Sequence, residues 1–179
     1  KSRLLIINKC DLISEEDKNK IEKYYIDQNL KNTQIITLSS IQGGNINKLL
    51  NILNKYYEIK RKKFSLKGMG ALSLKVMVIG MPNAGKSTMI NSLVKRKVAG
   101  VSVIPGFTRG KKWVRILENI ELLDTPGILY PNIKDEETAN NLSILGVIKD
   151  SIFDNQAVAL QLIKVILESK DSNKFLEKY

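Results

Sequence analysis

Gly80-Met81-Pro82-Asn83-Ala84-Gly85-Lys86-Ser87 is the stretch on which the fold turns. It satisfies G-x-x-x-x-G-K-[ST] and stands between an apolar run, Lys75 to Ile79, and a segment that reads as a helix from about Lys86, the setting in which this spacing has a mechanism. The glycines let backbone N–H groups turn inward onto phosphate oxygens, and the start of the helix adds positive potential. Lys86 then reaches the β/γ-phosphates and Ser87 can hold Mg²⁺, with Ala84, Gly85 and Thr88 completing the nucleotide-binding set. An ordinary glycine-rich turn needs neither the strand before it nor the helix after it. The loop alone specifies a nucleoside triphosphate without naming the base, so kinases and ATPases stay open at this point.

Working outward, Leu4 to Ile7 reads as a buried strand opening into Asn8-Lys9-Cys10-Asp11. Ser14 with Asp17 has the form of a capping box for a helix from about Glu15 to Gln28. Gln34 to Leu38 reads as a second strand, and Ser39 to Gly44 as a loop. Asn45 or Asn47 can cap a helix with Ile46, Leu49, Leu50 and Leu53 on one face. Lys60-Arg61-Lys62-Lys63 and the Gly-bearing residues after it read as a basic linker over 60–74. It separates a base-reading half, 1–59, from a phosphate-binding half, 75–150. Val94 to Gly110 holds Pro105 and Gly106 and reads as a loop, Lys112 to Leu117 and Ile120 to Leu123 as a hairpin. Beyond Asp135 the pattern turns helical, with Ala157, Leu160, Ile163, Val165 and Leu167 marking an apolar helix; 151–179 is expected to pack on the domain or lead to a further one.

Asn8-Lys9-Cys10-Asp11 narrows the choice of base. An Asp carboxylate accepts hydrogen bonds from both N1–H and N2–H₂ of guanine, whereas adenine would leave it partly unpaired. N-K-x-D alone is common and reads as a solvated turn at a strand end. Closing an apolar strand in a chain that also holds the phosphate loop, it reads as a guanine-reading element.

With these motifs the sequence resembles GTPases of the translation-factor-related class, and the rest of that pattern is present. Asp124-Thr125-Pro126-Gly127 resembles the D-x-x-G element, in which Asp124 reaches Mg²⁺ through water and the Gly127 N–H faces the γ-phosphate. Thr108 resembles the switch threonine that binds Mg²⁺ and senses the γ-phosphate. Ser39-Ser40 followed by Gly43 resembles the S-A-x-x-G loop that supports the base, Ser40 standing where Ala is usual. Asn83 matches the phosphate-loop Asn of GTPases that bind K⁺, an ion able to replace an arginine finger. The resemblance thus implies catalytic roles for Lys86, Thr108, Gly127 and Asn83. Nucleotide contacts are implied for Asn8, Lys9, Asp11, Ser39 and Ser40, and metal contacts for Ser87, Thr108, Asp124 and Asn83.

The base motif here precedes the phosphate motif, the reverse of the usual order. That permutation, with Leu122 to Pro131 and Gly146 to Ile152, resembles the circularly permuted GTPases of ribosome assembly, the YlqF/RbgA subgroup. It implies an α/β P-loop fold, a mainly parallel sheet with helices on both faces. The implied ligands are GTP or GDP, Mg²⁺ and K⁺, and the implied partners are ribosomal particles and rRNA, the large subunit foremost. Ile128 stands where many GTPases carry a water-orienting Gln, and no His is present to replace it. Intrinsic hydrolysis is therefore expected to be slow, with Ile128 a packed residue. In the resembled subgroup the water-orienting His comes from an N-terminal segment.

Composition sets outer bounds. The net charge of +11 attracts phosphate-rich polymers; the competing source is a codon bias toward Lys that leaves a solvated basic surface. The charge is uneven: Lys55 to Lys67 holds one acid, Glu58, and Lys95 to Arg115 none. Both runs are candidate RNA contacts, and Trp113 beside the second could stack a base, although core packing is the commoner role. One cysteine, Cys10, excludes an internal disulfide, and a reducing cytoplasm, no membrane, no DNA and a monomer are expected. A P-loop nucleotide kinase would share Lys86 and Ser87 but has no use for Asp11, and an RNA-binding module with a degenerate site would not keep all five motifs. The permutation also places one strand of the ordinary sheet ahead of Lys1. Without it, the strands at Leu4 and Lys75 are expected to stand two spacings apart, about 9 to 10 Å.

Overall fold

The computed structural model describes residues 2–66, 73–97, 112–129, 133, 135–148 and 155–169. Ser14 starts α1 (Glu15–Asp27): its hydroxyl accepts from the Asp17 backbone N–H at 3.1 Å and donates to the Asp17 carboxylate at 2.8 Å. Three acids in that first turn meet the positive end of the helix dipole. The helix connects β1 (Arg3–Ile7) to β2 (Thr33–Thr37), which pair in parallel with Arg3 opposite Thr33 and Ile7 opposite Thr37. α2 (Ile46–Ser65) buries Ile46, Leu49, Ile52, Leu53 and Tyr57, the stripe expected of a one-faced helix. Asn45 precedes it in the left-handed conformation, but its amide donates to Thr37 O at 3.0 Å instead of capping α2. α2 also overruns the expected linker, continuing through Lys60–Lys63, because long basic side chains are good helix formers. Residues 67–72 lie outside the described residues.

β3 (Leu74–Val78) leads through the phosphate loop into α3 (Lys86–Lys97). The helix extends four residues into the stretch read as a loop from Val94, and residues 98–111, which hold the rest of that loop, are not described. β4 (Lys112–Leu117) and β5 (Ile120–Asp124) form the expected hairpin, with a register shift between Arg115 and Leu117. β5 also lies parallel to β3, giving the order β3-β5-β4. α2 and α3 share one core with both sheets: Ile36, Leu38, Ile46, Leu49, Ile90, Leu93, Ile116, Ile120 and Leu122 are almost wholly buried. Each such side chain is worth roughly 1.5–3 kcal/mol of burial, so this cluster holds the two halves of the chain together.

Among the described residues β1 pairs with β2 and β3 with β5, but β1 and β3 do not pair with each other. The chain forms two compact units, one of residues 1–79 and 84–126, the other of residues 80–83 and 127–179. In the second, Asp135 caps α4 (Glu136–Ile144), accepting from the Thr138 N–H at 2.8 Å, and α4 packs against α5 (Asn155–Glu168). α5 is apolar as expected, yet Leu160, Ile163, Val165 and Leu167 remain exposed. Residues 149–154 and 170–179 lie outside the described residues.

Candidate nucleotide site

In parallel α/β sheets the loops at the C-terminal ends of the strands are the usual binding edge. The first unit gathers its candidate residues there. Beyond β1 and β2 the ladder continues through Leu38 N–H to Ile7 O at 2.8 Å and Cys10 N–H to Leu38 O at 3.1 Å, which holds the base motif against the Ser39-Ser40 loop. The Asn8 amide then joins three segments. Its Nδ2 donates to Ala84 O at 2.9 Å, while its Oδ1 accepts from Ser40 N at 3.2 Å and Ser40 Oγ at 2.7 Å. Two donors on one oxygen and an acceptor facing the nitrogen leave only one amide orientation satisfied.

Lys9 adopts a left-handed conformation at φ 61°, and the following single turn, Cys10–Leu12, carries Asp11. Asp11 Oδ1 is buried with no hydrogen-bond partner among the described residues. A buried carboxylate oxygen without a donor is costly, and N–H groups such as guanine N1–H and N2–H₂ are donors of the kind it lacks. Ser39 and Ser40 are buried, and Ser39 Oγ accepts from Gln42 N at 3.1 Å.

On the phosphate side, Gly85 sits at φ +84°, and a Cβ there would run into the Asn8 amide nitrogen. Both facts demand glycine. Lys86 opens α3, where burial pushes its ammonium below the ordinary lysine value, with nearby Asp124 acting in the opposite sense. Ser87 Oγ donates to Asp124 Oδ2 at 2.8 Å. A hydroxyl beside a buried carboxylate is the oxygen donor set that Mg²⁺ takes alongside phosphate and water. Thr88 is exposed. Thr125, which the sequence reading passed over, anchors the end of β5 by donating to Val78 O at 2.6 Å.

In the second unit Gly127 lies so close to Pro82 that an added Cβ would stand 2.6 Å from its Cα and N. The next residue's N–H donates to Gly80 O at 3.1 Å, and the Ile128 side chain is 60% exposed, not packed as expected, because only its backbone is engaged. Asn83, at φ 55°, donates from Nδ2 to the carbonyl of Gly146, the left-handed residue that ends α4. Neither Gly146 nor Ser92, which bonds to Ser40 O, was legible as a partner from sequence; each contact depends on the fold. Thr108 lies outside the described residues, as do Arg109 and Lys111. Trp113 is 48% exposed, with the Lys75 ammonium 5.2 Å from its ring centre, so the expectation of core packing is not met. No group of three or more His, Cys, Asp or Glu side chains that could hold a metal occurs among the described residues, and no described helix is long and apolar enough to cross a membrane.

Residues 75–178 match the family model described as 50S ribosome-binding GTPase. The chain is 31% identical over 169 residues to Ribosome biogenesis GTPase A of Bacillus pumilus, covering 94% of this chain and 59% of that protein. It is 28% identical to the protein of the same name in Thermotoga maritima, covering 94% and 57%. The solved GDP-bound YlqF of T. maritima superposes with a TM-score of 0.59 at 28% identity, covering 96% of this chain and 64% of that one. Its GNP-bound form gives 0.60 at 25% identity, covering 96% and 63%. The chain thus spans about three fifths of the length of the relatives it matches.

Proposed function

We propose, from the premise that this chain belongs to the 50S ribosome-binding GTPase family, that it binds guanine nucleotide, hydrolyses GTP slowly and acts as a nucleotide-dependent switch in assembly of the large ribosomal subunit. The observation that carries the reading is the Asn8 amide, which links the base motif to Ala84 of the phosphate loop across 76 residues of chain. That link makes one site of two motifs whose order is permuted.

Asp11 reads the base with its buried Oδ1, and Asn8 and Ser39-Ser40 hold it in place. Lys86 presents its ammonium to the β/γ-phosphates, whose charge offsets the cost of its burial. Ser87 and Asp124, the latter through water, would hold Mg²⁺. That ion supplies electrostatic stabilisation of phosphate charge. For Gly127, the glycine forced by Pro82, we keep the backbone role toward the γ-phosphate, and for Thr108 the switch role. Phosphoryl transfer asks the protein mainly for positioning and charge. Ile128 offers no hydrogen-bonding group to orient water and the sequence holds no His, which supports slow intrinsic turnover. Asn83 has its amide nitrogen on Gly146, which leaves Oδ1 as the atom we assign to K⁺.

The partners we assign are rRNA phosphates of the particle, met by the basic runs, with the protein a cytoplasmic monomer that takes neither membrane nor DNA. Cosedimentation with ribosomal particles in a nonhydrolysable GTP analogue and in GDP tests the switch. Binding that favours the triphosphate state, weakens with salt and falls on reversing charge at Lys111 and Lys112 supports the reading. Equal sedimentation in both nucleotides would reject the switch.

A further inference from the structure

The hydroxyl of Ser40 replaces a methyl in the resembled loop pattern, and the structure gives it a task. Ser40 Oγ donates to Asn8 Oδ1 at 2.7 Å, beside the weaker backbone bond from Ser40 N at 3.2 Å. Ser40 is itself held from the phosphate side. Ser92, on α3, places its Oγ 2.5 Å from Ser40 O and 3.0 Å from Thr88 O. One hydroxyl has one proton, and the Thr88 contact is the back-bond any helical serine can make to residue i−4. The shorter contact takes the proton, so Ser92 ties α3 to the base loop.

These bonds close a circuit: Ser92 to Ser40, Ser40 to Asn8, Asn8 to Ala84, and along the chain from Ala84 through α3 back to Ser92. Asn8 has one satisfied orientation only while Ser40 donates to it, and Ser40 is fixed while Ser92 holds its carbonyl. We propose that Ser92 is a positioning residue for guanine nucleotide, acting through Ser40 to hold the base motif and the phosphate loop in one geometry. Ser92 touches neither the base motif nor the phosphates in this reading; it acts on the ligand at second hand. Loosening it lets the base motif and the phosphate loop drift apart, which raises the release rate and blunts base discrimination together. The inference rests on the guanine-nucleotide reading above.

Stopped-flow release of a fluorescent GDP analogue, with GDP and IDP as competitors, tests the relay in the full chain. IDP lacks the 2-amino group, so the GDP-to-IDP affinity ratio reports how well Asp11 meets the base. Ser92→Ala should speed release about fivefold, and Ser40→Ala about five- to tenfold, the usual worth of one buried hydrogen bond. Both should lower the GDP-to-IDP ratio, the double variant should release no faster than about the faster single, and Ser92→Thr should restore wild-type release. Alanine favours helix, so Ser92→Ala is expected to fold, which circular dichroism at the assay temperature verifies. Release by Ser92→Ala at the wild-type rate overturns the proposal. So do effects that multiply in the double variant, or faster release with the GDP-to-IDP ratio intact, either of which makes Ser92 an independent packing residue. A wild-type chain that fails to bind GDP at all defeats the nucleotide reading itself, which is a separate result.

Discussion

Replacing Asp11 by Asn tests the base assignment with little change of shape. Asp11 Oδ1 is buried without a partner among the described residues, and in the proposed reading the ligand supplies its donors. Guanine offers two, N1–H and N2–H₂. Asn accepts only through its carbonyl oxygen and puts an amide donor against the 2-amino group, so one hydrogen bond to a charged group is lost and two donors face each other. A hydrogen bond to a charged group is worth about 1.5–3 kcal/mol, and the opposed donors add desolvation cost, so GTP should weaken by on the order of 100-fold. Xanthine carries a carbonyl at position 2, which accepts from the new amide, so xanthosine triphosphate should gain affinity. Equilibrium displacement of a fluorescent guanine nucleotide by GTP, ATP and xanthosine triphosphate reads both changes, with thermal unfolding as the control for fold. Preference for GTP over xanthosine triphosphate that stays at the wild-type ratio in a folded variant would refute the assignment. Tighter ATP than GTP binding by the wild type would instead favour a nucleotide kinase.

Hydrolysis should run faster in KCl than in NaCl, and Asn83→Ala should erase that difference while nucleotide binding persists; equal rates in the two salts remove K⁺ from the mechanism. Lys86 titrates below the ordinary lysine value because it is buried, so the unfolded chain binds the proton more readily in the window between the two values. Nucleotide-free stability should therefore rise with pH through that window, and Lys86→Ala should flatten the rise while cutting nucleotide affinity at least about tenfold. The Thr138 hydroxyl and then its backbone N–H hold the Asp135 carboxyl below the usual carboxylate range. The cap on α4 is thus in force above the ordinary carboxylate value and is lost as pH falls through the depressed one. Protection of the α4 amides, relative to their unstructured exchange rate at each pH, should fall across that acid window, and Asp135→Ala should show the lower protection at every pH.

How much of this was legible depends on how local the cause is. The phosphate loop, the cap at Ser14 and the β4–β5 hairpin are each written in a few adjacent residues, and the structure has them where the pattern put them. α2 runs into the start of the expected linker; a charge run such as Lys60-Arg61-Lys62-Lys63 looks the same on a solvated helix as in a loop, and only the packing of α2 onto the core decides between them. The side-chain partners of Asn8, Asn83 and Ser40 are set by tertiary approach, so spacing could name the residues but not the bonds.

That β1 and β3 do not pair among the described residues is a long-range feature, on which motif order bears and local spacing does not. In a permuted motif order the strand expected between β1 and β3 is one that comes ahead of the base element. Among the described residues no strand pairs with the second edge of β1 or of β3, and hydrogen exchange reads the state of those edges residue by residue. In this 179-residue chain the edge amides of β1 and β3 should exchange orders of magnitude faster than those shared with β2 and β5. In a longer chain supplying the intervening strand they should become protected together, in one step, because a single strand closes both edges. Edge amides already protected in this chain, or protected in the longer one along β1 alone, would show that no single strand belongs between them.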